Sequence, residues 1–207
     1  SLKANIANGS LERTAGATDF PEYDYQRREL ELGFAIDTVD SLYLPRNGSL
    51  LQASVVSSME ALGSNDDYRQ LNFDILHART FGKHSGFAGL RYHRTFSGDA
   101  GFQSVYSLGG ITRFAGFQAH QQFAESYALA FAGYNYELGN LLGRSLVFGG
   151  SVERGKIWYD NITDFEDYQT HGSAYLAFDS WLGLLIMGYG TSNEGDRNFF
   201  FELGRTR

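Results

Sequence analysis

Three glycines, two phenylalanines and a lone arginine share the run Ser-Leu-Gly-Gly-Ile-Thr-Arg-Phe-Ala-Gly-Phe, residues 107–117. Glycines so placed can cradle a phosphate, form an ordinary turn, or let a chain reverse inside a crowded space. The phosphate reading is weak, because the run makes neither GxGxxG nor the closing Lys-Ser/Thr of a nucleotide-binding loop. His77, His84, His93, His120 and His171 stand without HxH or HExxH spacing, so no metal site is expected. Serine, histidine and carboxylates all occur, but no GxSxG nucleophile elbow does. No catalytic residue is assigned, no cofactor is implied, and the chain is not expected to be an enzyme.

Composition narrows the field. The balance of 17 Lys+Arg against 24 Asp+Glu leaves a formal charge of -7, which argues against nucleic acid as a partner. Zero cysteines remove disulfides, thiolate metal sites and cysteine nucleophiles together. With 25 Gly, 13 Tyr, 17 Phe and only 2 Pro, the composition favours strands. No run approaches the roughly 18 to 20 apolar residues of a spanning helix. A transmembrane β-barrel stays open, because strands of about 9 to 11 residues with every second side chain apolar leave mean hydropathy near that of a soluble protein. The observed value is -0.30.

Period-2 alternation supplies the elements that must position the loop. About ten strands are expected, beginning near residues 2, 24, 49, 68, 85, 121, 145, 168, 184 and 198. In residues 121–138, Phe123, Tyr127, Leu129 and Phe131 share one parity, against Ala124, Ser126, Ala128, Ala130 and Ala132 on the other. With large residues out and small residues in, the bulky set is expected to meet lipid, together with Leu32, Phe34, Phe73, Phe199 and Phe201. Glu29, Glu31, Asp37 and Asp74 would then line the interior, and Glu153 would point inward with Ser151 and Gly155. Breaks alternate between tight ones, at Leu-Pro-Arg-Asn-Gly, Phe-Gly-Lys, Gly-Asn-Leu-Leu-Gly-Arg and Trp-Leu-Gly, and longer polar ones, the longest being residues 97–120. The fold class is all-β: an antiparallel up-and-down transmembrane barrel, as one domain over residues 1–207.

Four segments, in order, resemble the carboxy-terminal part of the outer-membrane barrel-assembly and secretion family, also called the bacterial surface antigen family. Residues 37–55 look like its strand end, periplasmic turn and next strand. Residues 107–118 resemble its long external loop, which folds back into the lumen. Residues 146–160 look like the later strand with an inward acidic residue, and residues 199–207 like its terminal strand. The wording Gly-Gly-Ser-Val-Glu-Arg-Gly, residues 149–155, is closest to the branch that follows a patatin-like phospholipase domain, which resembles type V secretion proteins. Two departures stand out: Ala115 occupies the place of the family's loop arginine, and the chain ends on Arg207 where the family ends on an aromatic.

The resemblance implies a site of four parts. Gly109, Gly110, Arg113, Phe114, Ala115, Gly116 and Phe117 would form the lumen loop, with Arg113 and Phe117 near its tip. Glu153 and Gly155 would be its partners on the wall, and an Arg113–Glu153 ion pair is expected. Phe199, Phe201, Leu203 and Gly204 would carry the signal read by assembly machinery. Family barrels close with about sixteen strands, so an amino-terminally truncated portion is expected here. The implied function is a bacterial outer-membrane anchor that also helps translocate an attached passenger. The alternatives are a general assembly or secretion barrel, an outer-membrane enzyme or porin, and a soluble β-sandwich binding module. Expected partners are outer-membrane lipid, barrel-assembly machinery and an attached passenger or periplasmic domain, with homo-oligomerisation left open.

Overall fold

The computed structural model describes residues 1–11, 23–141, 143–159 and 168–204. Twelve strands run along the chain: β1 Leu2–Leu11, β2 Tyr23–Asp37, β3 Gly48–Ser58, β4 Tyr68–Phe81, β5 His84–Gly98, β6 Tyr106–Leu108, β7 Gln122–Ala124, β8 Ser126–Leu141, β9 Arg144–Trp158, β10 Gln169–Ser180, β11 Gly183–Ser192 and β12 Arg197–Gly204. Ten of them form one antiparallel sheet in chain order, interrupted only where β6 and β7 pair as a separate hairpin. Among the described residues no ladder joins β1 to β12, so both are edges. The sheet curls nevertheless: the segment between β2 and β3 bridges to the β8–β9 rim, where Arg46 Nη2 donates to Ser145 Oγ at 2.8 Å and pairs with Glu137 at 3.4 Å.

Side-chain alternation assigns the two faces. Leu32 and Phe34 of β2, Ile75 of β4, Val152 of β9 and Phe199, Phe201 and Leu203 of β12 point outward and are exposed, and Phe73 lies on the same outward parity, half-buried. Leu50, Leu76, Phe87, Tyr175, Ile186 and Phe200 point inward and are buried. An outward face this apolar, with no layer of the described residues over it, suits contact with lipid.

The parity of β8 is the reverse of the sequence expectation. Tyr127, Leu129 and Phe131 are 3%, 1% and 6% exposed and face the concave side, while Ala130 and Ala132 face out. The cause is packing inside. Phe131 lies over Gly89 and Phe87 over Gly133, where an added Cβ would sit 2.3 Å and 2.0 Å from the rings. These pairs are direct cross-strand neighbours of β5 and β8, so each large ring fills the gap left by a glycine opposite. Phe123 is not on the wall at all, because β7 ends at Ala124 and pairs with β6. The expected tight turn at Leu-Pro-Arg-Asn-Gly is also longer than anticipated. Residues 38–47 make an excursion in which Val39 and Leu44 are buried, and Leu44 packs with Val147, Tyr175, Ala177, Leu184, Ile186 and Phe200.

Candidate functional site: a loop docked on the inner wall

The segment between β5 and β8 turns into the concave space. Its stem is the β6–β7 hairpin, held by aromatic contacts to the wall. His93 stacks on Tyr127 at 4.8 Å, and Tyr106 meets His93 edge-on at 5.1 Å and Tyr127 at 5.6 Å. The Tyr106 hydroxyl donates to Asn72 Oδ1 at 2.7 Å. Burial, and after it the neighbouring Tyr127, pushes the Tyr106 phenol above its ordinary range, so it stays a neutral donor. Below the stem, Gln70 Nε2 donates to the Ser104 carbonyl at 2.9 Å, and Tyr68 donates to Glu29 and Ser104.

Backbone geometry then shapes the tip. Gly109 has φ 128°, and a Cβ there would lie 1.8 Å from the Gln118 carbonyl, so only glycine fits. The Gly109 N–H donates to the Arg113 carbonyl at 2.8 Å and the Gly110 N–H to that of Phe117 at 3.1 Å, folding the tip on itself. Thr112 and Phe114 also hold positive φ, 54° and 68°. For a side chain as large as Phe114 this conformation is strained, and it persists only where the surroundings fix it.

What fixes it is Glu153, a fully buried carboxylate on β9. Oε1 accepts the Thr112 N–H at 2.9 Å, and Oε2 accepts those of Phe114 at 2.6 Å and Ala115 at 3.1 Å. Ser151 Oγ adds a bond to Oε1 at 3.3 Å. These three loop N–H groups form a concave donor nest that holds the carboxylate without a cation, while the intervening Arg113 N–H donates to the Gly110 carbonyl at 3.1 Å. Three neighbouring strands complete the dock. Gly116 N–H donates to His171 Nδ1 of β10 at 3.1 Å. Asn198 Nδ2 of β12 donates to the carbonyls of Ala115 at 3.4 Å and Phe117 at 2.9 Å. Gly190 of β11 lies so close beneath the tip that a Cβ would come 2.0 Å from the Ala115 oxygen. Gly155 leaves room for Phe114, whose ring would be 2.8 Å from an added Cβ. Phe114 and Phe117 both meet the His171 ring edge-on, at 5.2 and 4.9 Å.

The expected Arg113–Glu153 pair is absent and is corrected by this geometry. Once the backbone at residues 112–115 faces Glu153, the Arg113 side chain is directed away from it. Arg113 lines a cavity of about 560 Å³ together with Asp74, Arg91, His93 and Glu202, and is close enough to Asp74 and Glu202 to act on both electrostatically. Asp74 itself is held by His93 at 3.0 Å and by Arg91 at 3.9 Å. The same cavity is bounded below by Leu42, Tyr43 and Pro45, so loop tip and β2–β3 segment close on it from opposite sides. Ala115, in the family's arginine position, is fully buried and wedged over Gly190. Gly204 ends β12 beside Tyr43, where a Cβ would lie 3.2 Å from the ring. Phe199, Phe201 and Leu203 project from that strand's outer face, away from the loop.

His171 and Asn198 were missed from the sequence. The available signal was weak: each is a polar residue on the inward parity of its strand. Among the described residues, no cluster of three or more metal-ligating side chains forms.

Fold and loop together define a wall section of an up-and-down barrel with an inward-folded loop. No protein-family model matches this chain, and no curated protein matches it. Among solved structures, the chain is similar to the crystal structure of BamA from Haemophilus ducreyi lacking POTRA domains 1–3, with a TM-score of 0.66 at 14% identity. The match covers 87% of this chain and 42% of that one, so this chain spans about two-fifths of its length. At this identity the likeness is one of fold.

Proposed function

We propose that this chain is part of a bacterial outer-membrane β-barrel of the assembly and secretion type. In this reading it anchors an attached passenger domain and forms the wall of the passage through which that domain crosses. The observation that carries the reading is the tip at residues 109–117 docked on Glu153 inside an otherwise outward-apolar wall. A wall whose backbone groups pair between strands can sit in lipid. A loop tip held by hydrogen bonds to three strands, rather than by an apolar core alone, can be released without unfolding that wall. The fold likeness to BamA supports the membrane assignment. The resemblance of residues 149–155 to the patatin-fused branch supports a lipase as the passenger, with its chemistry residing outside this chain. A general assembly barrel is the second reading, favoured by the same fold likeness.

Mechanistically the site acts as a plug. Glu153, His171 and Asn198 hold the tip, Phe114 and Phe117 pack against His171 beside it, and Arg113 adds a positive charge to a cavity also lined by Arg91, Asp74 and Glu202. The test is fractionation of cells producing the full-length protein, followed by protease treatment of intact cells. The preceding domain should be found in the outer membrane and become surface-exposed only when residues 1–207 are present. Surface exposure after deletion of those residues would overturn the anchoring role.

A further inference from the structure

The outward face concentrates its cations at one rim. Arg28 of β2, Arg69 of β4, Arg94 of β5, Arg154 of β9 and Arg197 of β12 lie on the same parity as the exposed apolar residues of their strands, near the ends that lead into the longer connections. Arg69 is the second residue of β4 and Arg197 the first of β12. Among the described residues none of the five forms an ion pair. Arg28 donates to neutral oxygens of Ala7, Asn8 and Arg27, and Arg154 lies 5.7 Å from the Tyr168 ring.

Among the described strand residues the carboxylates other than Asp24 face the other way, and Asp67 and Asp196, in the connections next to Arg69 and Arg197, form no ion pair with them. Glu29, Glu31, Asp74, Glu153 and Glu202 sit on the inward parity, and among the described strand residues only Asp24 shares the outward one. The chain as a whole is acidic, at -7, so this outer band of unpaired arginines runs against its average. The opposite rim is different in kind. There Arg79 lies 4.8 Å from the Phe81 ring and Arg144 pairs with Asp179 at 3.8 Å.

An arginine facing hydrocarbon costs about 2 to 4 kcal/mol at the midplane and close to nothing at the interface, so these positions mark the headgroup level. Planar guanidinium groups at that level match phosphate oxygens in pairs. We infer that the loop-side rim binds the phosphate groups of anionic lipid in the leaflet that surrounds it, through Arg28, Arg69, Arg94, Arg154 and Arg197. The inference rests on the membrane-barrel reading. Bound lipid would order the boundary layer around the strand ends that carry the loop.

The test is the full-length protein in phosphatidylcholine bilayers containing spin-labelled phosphatidylglycerol or spin-labelled phosphatidylcholine, with the motionally restricted fraction of each read by electron paramagnetic resonance. The protein should prefer phosphatidylglycerol by about fivefold, the effect of one basic residue near a charged surface, or more. Raising salt should reduce that preference. The triple variant Arg69→Gln, Arg94→Gln, Arg154→Gln should lose most of it, and Arg79→Gln should keep it. Equal restriction of both lipids by wild type, or an unchanged preference in a correctly inserted triple variant, would overturn the inference alone. Wild-type protein that restricts neither lipid would overturn the membrane reading and this inference with it. Because the wild-type comparison and its salt dependence need no variant, poor folding of the triple substitution would not protect the idea.

Discussion

Replacing Glu153 by glutamine changes one atom of the plug's main anchor. The carboxylate accepts three loop N–H groups and one hydroxyl. Glutamine offers a single acceptor oxygen. If that oxygen takes the Oε2 place, Phe114 and Ala115 keep neutral bonds and the Thr112 N–H meets an amide NH₂. Losing one charge-assisted bond at about 1.5–3 kcal/mol and weakening two others by about half comes to about 3–6 kcal/mol. Removing a buried charge recovers part of this. A net loss of about 2–3 kcal/mol corresponds to a roughly 30- to 150-fold shift from docked to released loop. In planar bilayers the full-length Glu153→Gln protein should therefore spend a far larger fraction of time open than wild type. An unchanged open fraction, in a variant whose heat-modifiable gel mobility shows a folded barrel, would refute the argument that Glu153 holds the plug.

The other predictions test the packing around that anchor. Ala130→Arg, on the outer face, should destabilise the inserted protein by about 2–4 kcal/mol if the residue lies near the midplane, measured by urea unfolding in lipid. Leu129→Ala should instead cost about 2–5 kcal/mol by leaving an internal cavity, with no dependence on lipid composition. Gly190→Val places a side chain where the Ala115 oxygen lies, so it should release the tip and raise conductance while leaving the strand ladders intact by infrared spectroscopy. Leu44→Ala removes the apolar contact that residues 38–47 make with β9–β12 and should lower stability by about 2–4 kcal/mol. An effect under about 1 kcal/mol would mean that segment is merely laid against the wall.

Strand positions were legible because alternation and polar breaks are local signals. Nine of the ten sheet strands begin within a residue of where the pattern places them, and the exception is the run at 121, where a hairpin partner precedes the wall strand. The phase of β8 was not legible. Large residues alternate with alanines there, and which set faces lipid depends on Gly89 and Phe87 across β5 and on Phe114 from the loop. These are contacts made at long range, and the strand's own pattern is the same in either phase. The site shows the same division. Gly109 and the inward parity of Glu153 follow from residue type and period, whereas the nest around Glu153 is made of backbone N–H groups, which every sequence contains. Expecting a cation for a buried anion was reasonable, and the backbone filled that role instead.

Lipid exposure along β8 distinguishes a membrane wall from a water-soluble sheet. The chain has no cysteine, so single substitutions Ala128→Cys, Leu129→Cys, Ala130→Cys, Phe131→Cys and Ala132→Cys can each carry one environment-sensitive fluorophore in the full-length protein. Quenching by bromine-labelled acyl chains should alternate with period two, strong at 128, 130 and 132 and weak at 129 and 131. Quenching that is uniform along the strand, or strongest at 129 and 131, would contradict a membrane wall whose inner face carries the docked loop.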